Sequence, residues 1–147
     1  RTASTFDPNA FITRAEFAAI AARFDKSSVS QLANFSDISG HWAALEISKA
    51  AANGWVNGYS DGTFKPDRNI TRAEAMALIN RVLNRVPETV NDLLPDMVTW
   101  PDNMNTSAWC YLDVQEATNS HDYERKSNGC ETWTKLTKVP DWKIYEN

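Results

Sequence analysis

Phe6-Asp7-Pro8-Asn9-Ala10-Phe11-Ile12-Thr13-Arg14-Ala15-Glu16 returns as Phe64-Lys65-Pro66-Asp67-Arg68-Asn69-Ile70-Thr71-Arg72-Ala73-Glu74, without a gap, at an offset of 58 residues. Seven of the eleven positions are identical, and the register continues to Ile20 against Leu78 and Arg23 against Arg81. Each block ends in Thr-x-x-Glu ahead of an apolar-periodic run, the signature of a capping box. Thr13 and Thr71 are expected to be N-caps, with Glu16 and Glu74 reaching back to the cap amides. The following helices carry Phe17, Ile20, Ala21 and Phe24 in one copy and Met76, Ile79, Val82 and Leu83 in the other. That spacing makes one apolar helical face. Pro87 is expected to stop the second helix.

Arg14 and Arg72 are not needed for any of this. A cation at the first helical position opposes the helix dipole, at a cost of roughly 0.3–1 kcal/mol. One reading is an anion site, in which a guanidinium fork and helix N–H groups grip a carboxylate or phosphate. The other is a structural ion pair, or an arginine stem laid over apolar surface.

A second, weaker repeat lies at an offset of 67. Residues 42–50 (Trp-Ala-Ala-Leu-Glu-Ile-Ser-Lys-Ala) read like residues 109–117 (Trp-Cys-Tyr-Leu-Asp-Val-Gln-Glu-Ala), with an inserted loop expected at 98–107. The chain of 147 residues therefore parses as two and a half units: 1–34, 35–93 and 94–147. Residues 25–34 read as a linker and 87–92 as a connector. The third unit lacks the Thr-Arg-Ala-Glu block, and a hairpin with an Asn128-Gly129 turn is expected there instead.

Composition limits the function. Fifteen basic and nineteen acidic residues give −4, a poor balance for non-specific nucleic-acid or anionic-membrane binding. Nine of the acids and four of the six tryptophans fall in 94–147. No apolar run approaches the ~20 residues of a membrane span, and no signal peptide opens the chain. Residues 54–66 hold three glycines with Trp55 and Tyr59. Such a loop suits close ligand approach and sugar faces, or simply plugs the space between helices. No nucleophile motif, metal-ligand spacing, phosphate loop or cofactor motif is visible. His41 reads as a helix-start residue and His121 as the end of a helix, where a cation is favourable. An enzyme is therefore not expected.

Residues 35–43 (Phe-Ser-Asp-Ile-Ser-Gly-His-Trp-Ala), 54–64 (Gly-Trp-Val-Asn-Gly-Tyr-Ser-Asp-Gly-Thr-Phe) and 70–74 (Ile-Thr-Arg-Ala-Glu) together resemble one complete S-layer homology motif. Residues 1–34 resemble the second half of a motif. Residues 94–147 resemble a divergent one that keeps Asp96 and Trp109. The resemblance implies a mainly α, pseudo-threefold spindle of helix–loop–helix units. It implies an extracellular module that anchors an exported bacterial protein, non-covalently, to anionic and often pyruvylated secondary cell-wall polysaccharide. A pyruvate ketal is a carboxylate on a sugar, which favours the anion reading of Arg72 and Arg14. Asp37, Trp42, Gly58 and Tyr59 are the other groove residues it implies. A module that packs against other surface-layer subunits is the alternative. An exported anchor is not kept reduced, so a Cys110–Cys130 disulfide is also an expectation.

Overall fold

The computed structural model describes residues 10–26, 29 and 31–138. The start of the first block (6–9), parts of the linker (27, 28 and 30) and Trp142 lie outside them. The described residues form α1 (Arg14–Ala22), α2 (Ala44–Ala52), α3 (Arg72–Val82), a 3-10 turn (Val90–Asp92), α4 (Tyr111–Thr118), β1 (His121–Arg125) and β2 (Glu131–Leu136). They are mainly helical, with one two-stranded sheet. None of the described helices is long and apolar enough to cross a membrane. Both sequence offsets mark equivalent helices: α1 and α3 begin at Arg14 and Arg72, α2 and α4 at Ala44 and Tyr111.

The chain gathers into two compact units, Arg1–Ala75 and Met76–Asn147, whose border falls inside α3. They do not coincide with the sequence units 1–34, 35–93 and 94–147. The reason is visible in the first: α1, from the tail of one sequence unit, packs on α2, from the head of the next.

In the N-terminal unit the helix faces differ from the expected ones. The buried residues of α1 are Ala15, Ala18, Ala21 and Ala22, with Arg14, while Ile20 and Phe24 are 45% and 71% exposed. The alanines meet α2, which buries Ala44, Ile47 and Ala50. Small side chains let the two backbones approach closely, so the larger residues face outward. Ile38, Val56 and Phe64 complete this core.

Helix ends follow the expected chemistry at one end and not at the other. Thr13 Oγ1 accepts from Glu16 N–H at 3.1 Å, and Glu16 accepts from Thr13 N–H at 2.9 Å. Thr71 and Glu74 repeat the pair at 3.3 and 2.9 Å. Both expected capping boxes are therefore formed. α3, however, stops at Val82, well before Pro87. Asn84 takes φ +55°, and Arg85 N–H reaches Asn80 O at 2.7 Å while Asn84 N–H reaches Arg81 O at 3.1 Å. This is a Schellman motif built on asparagine. α2 ends the same way on Gly54, at φ +71°.

The C-terminal unit has its core at Leu93, Tyr111 and Trp133. Asn80 of α3 donates to Asp113 O of α4 at 2.9 Å. β1 and β2 pair antiparallel, with Tyr123 opposite Trp133 and Arg125 opposite Glu131, and an irregularity at Asp122/Tyr123. The expected hairpin is present, and Gly129 supplies the positive φ of its turn. Residues 98–107 carry no helix or strand, as expected of an insertion. The connector at 87–92 is more ordered than expected. Asp92 caps Thr89 as Glu does in the repeated block, and it pairs with Lys126 at 2.6 Å.

Candidate functional site: two copies of one helix start

The two Arg-bearing helix starts have different surroundings. At α1 every first-turn donor is taken. Arg14 N–H binds Arg68 O at 2.8 Å, Ala15 N–H binds Pro66 O at 2.9 Å, and the next two amides bind Thr13. The Arg14 side chain is only 9% exposed, and each of its three guanidinium nitrogens has a partner. Nε donates to Phe64 O at 2.8 Å, Nη2 to Asn57 O at 3.1 Å, and Nη1 pairs with Glu74 at 2.6 Å. It also lies over the Tyr59 and Phe64 rings, 4.9 and 4.6 Å from their centroids. In this arrangement Arg14 is a strut across the loop at 57–64, as the ion-pair reading holds.

Glu74 is the counterpart. One carboxylate closes the α3 capping box, accepts from Tyr59 Oη at 2.9 Å and pairs with Arg14 and Arg68. Burial alone would raise its pKa. The Thr71 donors, Tyr59 and the Arg14 charge outweigh burial and hold it at about 2. Tyr59 moves the other way, raised first by burial and then by donating to Glu74.

Three further expected groove residues serve the same strut. Asp37 accepts from the Phe64 and Lys65 amides, both at 2.8 Å, and so fixes the turn where Lys65 takes φ +56°. Gly58 is where the chain passes the Phe35 ring: an added Cβ would sit 2.5 Å from it and 2.8 Å from Thr63 O. Tyr59 lies between Arg14 and the Lys65 ammonium, which is 4.3 Å from the ring centroid.

α3 begins differently. Arg72 is exposed, and among the described residues its guanidinium has no partner. The Arg72 and Ala73 N–H groups meet no acceptor there either. The repeat supplies the reason. Arg14 is tied to the Glu of the next Thr-Arg-Ala-Glu block, and the unit after Arg72, residues 94–147, carries no such block. The sequence marks the two arginines as equivalent; among the described residues only the second is open.

Trp42 stands apart from the other five. It is 64% exposed, tilted against His41 at 5.6 Å, and it lines an open groove of about 500 Å³ on α1 and α2 with Arg23, Leu45 and Lys49. Arg23 is exposed, and its guanidinium has no partner among the described residues. Trp109, its counterpart in the weaker repeat, is equally exposed.

Cys110 and Cys130 are free thiols, so the expected disulfide is absent. Cys110 precedes α4, while Cys130 is held in the hairpin turn by its carbonyl on Lys126 N–H. His121 also departs from expectation. α4 ends at Thr118, and His121 opens β1 with its side chain 0% exposed. It stacks on Trp133 at 4.0 Å beside Glu116 and Glu131. No sequence spacing announces this cluster. The one hint is that Glu131 and Trp133 share a strand face.

Residues 2–18 and 34–76 match the S-layer homology domain. The chain is 38% identical over 133 residues to a cellulosome-anchoring protein of Acetivibrio thermocellus, covering 86% of this chain and 28% of that protein. It is 39% identical over 132 residues to cell surface glycoprotein 1 of the same organism, covering 81% of this chain and 5% of that protein. A stretch of 58 residues is 45% identical to outer membrane protein SlpA of Thermus thermophilus, 39% of this chain and 6% of that protein. The chain thus spans less than a third of each of these relatives. The duplicated capping boxes, the glycine-rich loop between them and these matches place the chain in the S-layer homology family.

Proposed function

We propose that this chain is a non-catalytic anchoring module that holds its parent protein at the bacterial cell surface by binding an anionic cell-wall polysaccharide. The observation that carries the reading is the open start of α3. Arg72 and two unclaimed N–H groups present a cation and donors at a positive helix end, which is the chemistry a sugar carboxylate needs. A pyruvylated sugar supplies such a carboxylate. The Trp42 ring, with Arg23 in the same groove, offers a second contact for an acidic sugar: a flat apolar face beside a cation. Arg14, Asp37, Gly58 and Tyr59 act through the shape of the loop, with Arg14 and Tyr59 enclosed by their own partners. The two anchoring and surface relatives support this setting.

Wall polysaccharide purified from an S-layer-bearing bacterium, titrated calorimetrically into wild type and Arg72→Ala, tests it. A charge-assisted contact is worth about 1.5–3 kcal/mol, so affinity should fall roughly 10- to 100-fold. Stripping the pyruvate from the polymer by mild acid should abolish the difference between the two proteins. Arg72 is exposed, so its loss should leave the thermal midpoint nearly unchanged. Equal affinity of both proteins for the native polymer would remove Arg72 from the site.

A further inference from the structure

The C-terminal unit buries a set of groups that anchoring does not use. Glu116 Oε1 lies 3.2 Å from His121 Nε2, and Glu131 Oε2 lies 4.0 Å from the same nitrogen. All three ligand atoms fall within 4.8 Å of one another, and their side chains are at most 1% exposed. We propose that Glu116, His121 and Glu131 form a site for a divalent transition-metal ion, with the Arg85 guanidinium as the cation that the metal displaces.

The first argument is ligand geometry. Nitrogen and oxygen ligands sit about 2.0–2.2 Å from a tetrahedral zinc ion, which puts them roughly 3.3 Å apart. The two separations above bracket that value.

The second is how the ligands are held. His121 Nδ1 lies 2.8 Å from Asn119 O and donates to it, which leaves the Nε2 lone pair facing the carboxylates. Trp133 Nε1–H donates to Glu116 Oε2 at 2.8 Å, which turns Oε1 toward His121. Arg125 pairs with Glu131 Oε1 at 3.2 Å and leaves Oε2 on the inner side. Each ligand has its outer atom held and turns its inner atom toward the other two, where Arg85 Nη2 meets the inner atoms of His121 and Glu116.

The third is that the resident cation fits badly. Arg85 Nη2 is 2.8 Å from His121 Nε2 and 3.0 Å from Glu116 Oε1, but Arg85 Nε stays 3.7 Å from Glu131. Arg85 Nε, Glu116 Oε1 and both Glu131 oxygens are buried without a hydrogen bond among the described residues. A fully buried carboxylate in that state is costly. A small dication between the three atoms relieves this; a planar guanidinium reaching from one side does not.

The fourth is access. The Arg85 side chain is 34% exposed, lies against the Tyr123 ring at 5.0 Å, and lines an open groove of about 510 Å³ together with Glu116 and His121. Arg85 has water to move into, and an ion has a way in.

The test is calorimetric titration of zinc chloride into the full chain, comparing wild type with Arg85→Ala, His121→Gln and Glu131→Gln. One zinc ion per chain is expected for wild type. Binding should be at least tenfold tighter in Arg85→Ala, which lacks the competitor, and absent in His121→Gln and Glu131→Gln. Cobalt absorption on wild type needs no variant to fold: one equivalent should give the visible bands of a four-coordinate ion, abolished by excess zinc. Zinc should also raise the melting temperature of wild type. If neither wild type nor Arg85→Ala takes up stoichiometric zinc at 100 μM, or if His121→Gln binds it as wild type does, the site is overturned. Polysaccharide affinity does not enter any of these readouts.

Discussion

Glu74→Ala is expected to remove about 3–5 kcal/mol from the N-terminal unit, the size of effect that follows when one partner of a buried ion pair is deleted. Arg14 is the reason. Its side chain is 9% exposed and its Nη1 depends on Glu74 at 2.6 Å, so without the carboxylate a buried cation is left with two carbonyls and two rings. The same substitution opens the α3 capping box and strips Tyr59 Oη of its acceptor. Typical domains hold only about 5–15 kcal/mol in total, so urea unfolding followed by circular dichroism should show a large shift in midpoint. Glu74→Gln keeps an oxygen for Thr71 N–H but not the charge, and should fall between wild type and alanine. A loss below about 1 kcal/mol for alanine would show that Arg14 does not rely on Glu74.

The pH dependence gives the same quantity without mutation. Glu74 titrates at about 2 in the folded chain against 4.5 in its ordinary environment. A lowered carboxylate pKa stabilises the fold above the unfolded value, and that contribution is lost as the pH falls through the folded one. The window is therefore pH 4.5 down to about 2, and the loss is about 3 kcal/mol. Asp92 adds to it with the same sign. Burial would raise its pKa, but Lys126, Thr132 and Thr89 hold it well below the carboxylate range. Wild type should lose stability steeply across this window, and Glu74→Ala should show a shallower slope.

What could be read from the sequence was local. The capping boxes need only residues three apart, the Asn128-Gly129 turn needs only two, and the repeats need only comparison of the chain with itself. The fold class followed from those. What could not be read depends on residues far apart in sequence. Nothing around Thr13 shows that the Arg68 and Pro66 carbonyls close the start of α1, so Arg14 and Arg72 look interchangeable until folded. The apolar period of α1 named Phe17, Ile20, Ala21 and Phe24; Ala21 is buried as expected, but close packing selected Ala15, Ala18 and Ala22 beside it and left Ile20 and Phe24 outside. Arg85, Glu116, His121 and Glu131 come from a helix cap, a helix and two strands, a spread that no motif encodes.

Phe64→Ala is the other large loss, expected at about 3–5 kcal/mol. Phe64 is 1% exposed and among the largest fully buried side chains among the described residues. Its ring centroid lies 5.4 Å from that of Phe35 and 4.6 Å from the Arg14 guanidinium carbon. Its backbone is pinned independently, by Asp37 at the amide and Arg14 at the carbonyl, so the surroundings are poorly placed to collapse into the space left. A site that cannot relax keeps its cavity, which puts the cost at the upper end of the range. Phe64→Leu separates the two functions of the ring. It restores most of the volume, so the cavity share should return. It does not restore the aromatic face under Arg14, so a residue of about 0.5–2 kcal/mol should remain. A double-mutant cycle of Phe64→Leu with Arg14→Met isolates that share, since the two side chains touch and their effects should not add. Additive losses in the urea midpoints would mean that the ring only fills space. A coupling of the expected size would mean that the glycine-rich loop and the start of α1 are joined through this contact, so the same phenylalanine both packs the core and holds the loop beside the helix.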